Sequence, residues 1–149
     1  MKKFAIATMI ALAASAVSAL EVGVTTARDY AGTERNATGI TVGEKFGAVT
    51  LTAGFDRTNG GSNDQDRFSL VAGYNVAKLG PVSVAVKGGA AYLNNQTGQD
   101  GYAALIGVGA SLPVNKNVAL TVDATRQYGQ DRVNSFDGNR VTAGVKYSF

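Results

Sequence analysis

The chain has no histidine and no cysteine. A Ser-His or Cys-His nucleophile is therefore excluded, and no strand rim shows a Ser-Lys or carboxylate pair poised for catalysis. No catalytic residue is assigned. What remains able to do chemistry is charge. Glu21, Asp29, Asp56 and Asp123 fall at one parity of a period-two pattern, and so do Lys45, Arg67, Lys87, Arg140 and Lys146. These nine charges nearly cancel. If that parity lines a narrow interior, the ionised groups must pair with one another or meet water. A network of ion pairs is expected, with Lys87, Asp123, Arg140 and Lys146 at its centre. Arg28, Arg57 and Arg126 have the opposite parity, each near one end of its segment. Glu44 shares that opposite parity near the other end, a rim position where a charge is inexpensive.

Three motifs imitate sites. Gly107-Val108-Gly109 resembles part of a nucleotide loop, but it lies inside an alternating segment and precedes no helix. Asn63-Asp64-Gln65-Asp66 offers oxygen ligands without the glycine and distal glutamate of an EF-hand, and reads as a solvated loop. Asn36-Ala37-Thr38 and Asn95-Gln96-Thr97 match a glycosylation acceptor pattern, which a bacterial outer-membrane destination would make incidental. No metal and no cofactor is expected.

The elements that must position the charges are strands. After residue 19 almost nothing is helical in period; alternating stretches are broken by Gly, Asn, Asp and Pro clusters. Eight strands are expected at about 20–30, 38–46, 48–58, 67–77, 82–93, 102–113, 118–129 and 139–149. Each has roughly the 9–11 residues of a tilted membrane strand. Short turns are expected at Gly47, at Lys78–Pro81 and at Asn115–Asn117. Longer loops are expected at Ala31–Ala37, Asn59–Asp66, Asn94–Gly101 and Gln130–Gly138. That alternation of short and long connections is the habit of outer-membrane barrels, and an even strand count returns both termini to the periplasmic side.

The two faces of these strands differ in kind. Every aromatic residue in them takes one parity, together with most of the valine, isoleucine and leucine. The charges and nine glycines take the other. Tyr30, Phe55, Phe68, Tyr92, Tyr102 and Tyr128 lie toward the long loops. Phe46, Tyr147 and Phe149 lie at the opposite rim. Two aromatic girdles at headgroup level would look like this. A soluble barrel would place its apolar face inside, so the expected barrel is inside-out and its solvent is lipid. Interior glycines suit eight strands, whose lumen holds little more than side chains.

The ends agree with export. Lys2 and Lys3, the apolar run Phe4–Ala14 and the small residues Val17-Ser18-Ala19 read as a secretory signal peptide over residues 1–19. The run is too short for the roughly 20 apolar residues of a membrane helix. Cleavage is expected after Ala19, with Ala16 as the second choice. Removal leaves one barrel domain, residues 20–149, and lowers the net charge of +3 by two lysines to +1. So small an excess argues against a nucleic-acid binder.

The last strand carries the most specific pattern. Thr142, Gly144, Tyr147 and Phe149 resemble, position by position, the carboxy-terminal signal of bacterial outer-membrane barrels: a polar residue, glycine two later, then alternate aromatics to the end. In that family the segment is read by the barrel-assembly machinery. Over the whole mature length the chain looks like the small eight-stranded barrels, namely OmpX-like and opacity-protein-like surface proteins and the transmembrane domain of OmpA. The resemblance implies an all-β, antiparallel, up-and-down transmembrane barrel in the bacterial outer membrane, monomeric, in contact with membrane lipid and lipopolysaccharide. It gives Arg28, Arg57 and Arg126 a role beyond snorkelling, because guanidinium geometry suits lipopolysaccharide phosphates. Barrel enzymes of this size rely on a histidine that this chain lacks. The loops, at about seven to nine residues, are short for an adhesin, and no periplasmic peptidoglycan-binding domain of the OmpA kind is expected.

The expected function is a non-enzymatic barrel with a narrow, charge-lined, plugged lumen, serving envelope integrity or surface interaction. The alternatives are a small-solute or ion channel of porin type and an adhesin acting through its loops.

Overall fold

Strict alternation lets each strand offer one apolar and one polar face, and a closed sheet is the way to segregate the two while leaving no edge unpaired. The computed structural model describes residues 20–31, 33–59, 65–95, 100–129 and 137–149. They form β1 (Leu20–Ala31), β2 (Thr33–Phe46), β3 (Val49–Asn59), β4 (Gln65–Leu79), β5 (Val82–Asn95), β6 (Gly101–Pro113), β7 (Val118–Gly129) and β8 (Gly138–Ser148). Each strand pairs antiparallel with its neighbour in sequence, and β1 pairs with β8 to close the barrel. The signal-peptide segment 1–19 and Phe136 lie outside the described residues.

Turn chemistry explains one end of the barrel. Gly47 and Gly80 sit at positive φ, 62° and 60°, in the tight turns between β2 and β3 and between β4 and β5. In the third turn the Asn115 side chain accepts the backbone N–H groups of Asn117 and Val118, both at 2.8 Å, closing an Asx turn.

Beyond shifts of one or two residues at strand ends, three features differ from the sequence expectation. The segment Ala31–Ala37 is not a long loop: the β1–β2 ladder runs on from Ala27↔Ala37 through Asp29↔Arg35 to Ala31↔Thr33. Polar residues mimicked a loop there, but backbone pairing continues beyond the apolar band because a ladder satisfies its own N–H and C=O groups. β4 starts at Gln65 and runs to Leu79, so Lys78 and Leu79 belong to the strand and only Gly80 and Pro81 turn. The third difference is a bulge. The β4–β5 register slips between Asn75 and Ala77, leaving Val76 as the extra residue. Beyond it Lys78 pairs with luminal Ser83 and Leu79 with Val82. A regular strand would have put Lys78 outside and Leu79 inside.

The barrel is inside-out. Mid-wall side chains such as Val24, Ile106 and Val122 are more than half exposed on the outer face. The buried apolar residues, including Leu93, Ala91, Ala103 and Leu105, point into the lumen. The register aligns Phe55, Phe68, Tyr92 and Tyr102 as direct partners across four consecutive strands. Phe55 stacks on Phe68 with centroids 4.9 Å apart, and Tyr92 on Tyr102 at 5.2 Å. A row of that kind ties half of the loop-side rim together.

Candidate functional site in the lumen

The nine inward charges do not form one network. They divide by depth. At the loop end, Asp29 on β1 faces Arg140 on β8, and Asp56 on β3 faces Arg67 on β4, each pair directly opposed in the ladder. Arg140 Nη1 donates to both Asp29 oxygens at 3.1 and 2.9 Å. Its other terminal nitrogen lies 2.9 Å from Asp56, three strands away across the lumen. Arg67 donates Nε to Asp56 at 3.0 Å and Nη1 to Gln127 on β7 at 3.3 Å. Arg140 is 4 % exposed and Asp56 6 %. Two guanidiniums and two carboxylates thus staple opposite walls together.

Apolar packing seals the same level. Leu93 is fully buried, and Ala91, Ala103 and Leu105 are nearly so. Thr58 and Gln65 are also buried at this end. Ionic groups held in so dry a layer need multiple partners; Arg140 and Arg67 have two each, while Arg140 Nε and Asp56 Oδ1 make no hydrogen bond. Sequence reasoning missed the leucines, Gln127 and Arg35. Parity alone could have found Leu93, which follows outward Tyr92. Arg35, expected in a loop, is on β2 directly opposite Asp29.

Toward the turns the lumen opens. Lys87 on β5 donates to Asp123 on β7 at 2.5 Å, reaching over β6. Gly109 makes that crossing feasible: a Cβ there would overlap the Asp123 carboxylate and come within 2.7 Å of Lys87 Cε. Lys146 donates to Glu21 on the neighbouring strand at 3.2 Å. Lys45 stands at the rim, exposed, and among the described residues no carboxylate lies within ion-pairing distance of it. Lys87, Asp123 and Lys146 therefore lie apart from Arg140, because the barrel separates by height what alternation places on one face.

The three outward arginines have distinct surroundings. Arg28 is paired with Glu34 and lies over the Tyr30 ring. Arg57 makes a two-point contact with Asp66 at 2.7 and 3.1 Å. Arg126 lies over Tyr128, and its hydrogen-bond partner is the neutral amide of Asn139 at 3.3 Å. Glu44 differs from the expectation. It has outward register between Leu20 and Leu51 but is buried, at 6 % exposure, and engaged in a contact rather than solvated at the rim.

In the last strand Thr142 and Gly144 face the lumen, while Tyr147 and Phe149 are exposed outside with ring centroids 4.9 Å apart. The Phe149 N–H donates to the Leu20 carbonyl at 3.0 Å, so the seam between first and last strands is bonded to its end.

Solved structures with this fold include bacterial outer-membrane proteins and designed transmembrane β-barrels. The chain is similar to the N-terminal β-barrel domain of Pseudomonas aeruginosa OprF, with a TM-score of 0.72 and 19% identity over 89% of this chain and 98% of that one. It is similar to Neisserial surface protein A, with a TM-score of 0.65 and 18% identity over 88% and 96%. It is also similar to Ail of Yersinia pestis, with a TM-score of 0.54 and 14% identity over 89% and 99%. At such identities the likeness is one of fold. No curated protein matches the sequence. The family described as YfaZ precursor matches residues 1–148, nearly the entire length, and the chain therefore belongs to the YfaZ family.

Proposed function

We propose that this protein is a non-enzymatic, integral, monomeric barrel of the bacterial outer membrane, exported by a signal peptide over residues 1–19, with a lumen plugged at its loop end. It serves envelope integrity or surface interaction. The observation that carries the plug is the Asp29–Arg140–Asp56–Arg67–Gln127 chain, which crosses the lumen within a dry layer. Opening a path would break several buried charge contacts at once, and each is costly to break. In this orientation the turns and both termini are periplasmic, and the loops face outward. Between the strands lie one residue at Gly32, five at 60–64, five at 96–100 and eight at 130–137, too few for large binding loops.

Planar-bilayer recording of the purified barrel tests this. The expected result is no step approaching the conductance of a wide porin; such steps would refute the plug and favour the channel. Loss of cell adhesion on deleting residues 130–137 would favour the adhesin instead. Lipid and lipopolysaccharide are the proposed partners, with the barrel-assembly machinery reading Thr142, Gly144, Tyr147 and Phe149 during insertion. Arg126, opposed by an amide rather than a carboxylate, is the best placed of the three arginines to take a lipopolysaccharide phosphate. If Arg126→Ala co-purifies with undiminished lipopolysaccharide, that contact is absent.

A further inference from the structure

We propose that the turn-side half of the lumen is a binding pocket for a small oxyanion, with Lys45, Lys87 and Lys146 as its cationic wall. The space there is about 130 Å³. That is well above the roughly 10–15 Å³ that one water needs. Its charged lining comprises those three lysines against two carboxylates, Glu21 and Asp123. The pocket therefore carries a surplus positive charge, and Lys45 is where it resides.

The paired lysines are not used up by their carboxylates. Lys87 and Lys146 keep 20% and 19% of their side-chain surface exposed. An ammonium has three donors, and one carboxylate oxygen is within reach of each. The remaining donors point to a phosphate or carboxylate group entering beside them. The hydroxyls of Thr50, Thr52, Ser83 and Thr121 line the same space and can complete the shell around an oxyanion. At the loop end the buried network blocks the exit, so the pocket is a blind vestibule. Only that last feature rests on the plug reading; the site itself stands without it.

The test uses the mature barrel folded in octyl glucoside, a detergent without phosphate. Biosynthetic labelling with ¹³Cε-lysine leaves all three N–H donors of each ammonium in place and gives each lysine an NMR signal. Inorganic phosphate is titrated at constant ionic strength against chloride, and acetate is run in parallel. Lys45, Lys87 and Lys146 are expected to shift saturably, while Lys116, in the turn between β6 and β7, does not. Lys45→Gln, at an exposed rim position, is expected to weaken binding by about tenfold, the worth of one charge-assisted contact. Unsaturable shifts of equal size at Lys45, Lys87, Lys146 and Lys116 alike would reduce the effect to screening and overturn the site. So would a Lys45→Gln variant that binds phosphate as tightly as the parent. Conductance separates the two readings: a conducting barrel with saturable shifts loses the plug and keeps the site, and a silent barrel without shifts keeps the plug and loses the site.

Discussion

At the scale of single residues, ion pairs in this lumen differ in worth according to depth. Arg140 is buried and shared by Asp29 and Asp56, so its removal takes from Asp29 its bidentate partner and leaves the buried Asp56 with Arg67 alone. Arg140→Met is expected to destabilise the folded barrel by about 3–5 kcal/mol. Lys146 has a single partner and remains partly solvated. Lys146→Met is expected to cost about 1 kcal/mol or less. Urea unfolding of the two variants in the same detergent measures the contrast, and equal losses would show that burial does not set the value of these pairs. Membership of the inward set was legible in the sequence, since every one of the nine residues obeys the alternation. The grouping was not. Alternation has no coordinate along the barrel axis, so Arg140 and Lys146, both luminal on β8, looked equivalent.

At the scale of elements, β4 shows how one residue re-aims a strand end. Val76 is extra to the β4–β5 ladder, with Asn75 paired to Ala85 and Ala77 to Val84. Deleting Val76 would leave a regular ladder in which both halves keep their faces. The variant is expected to fold, with a stability change within about 1 kcal/mol. Deleting Val71 from the middle of β4 would instead turn half the strand over, placing Tyr74 in the lumen and Gly73 in lipid. That variant is expected not to fold. Heat-modifiable gel migration distinguishes the two: the first keeps the shift and the second loses it. The Val76 bulge was invisible to a pattern of apolar residues, because the segment Asn75–Leu79 reads equally well as strand end or turn. The same ambiguity hid the upper part of β2, where Glu34, Arg35 and Asn36 are polar yet fully paired.

At the scale of the whole molecule, the barrel presents an apolar wall between rims of aromatic side chains. The chain has no tryptophan, so single tryptophans introduced at chosen heights report depth without background. Val108→Trp lies in mid-wall and Tyr102→Trp in the loop-side aromatic row. In liposomes, acyl chains brominated near their ends are expected to quench the first more strongly, and chains brominated near the headgroup to quench the second. Equal quenching at both heights would contradict a spanning orientation.

Alternation by itself determined the strand count, the inside-out sense of the wall and the residues on each face. It could do so because side chains of a strand take opposite faces by covalent geometry, whatever the partner. The fold agrees with that local reading. What only the tertiary structure decided is which luminal charges meet: a loop-side plug of Asp29, Asp56, Arg67 and Arg140, and a turn-side vestibule in which, among the described residues, Lys45 has no carboxylate within ion-pairing distance. Those contacts join strands that are not neighbours in the ladder. They depend on the stagger of eight registers, on the missing side chain at Gly109 and on the bulge at Val76, and the pattern of any one strand contains none of them.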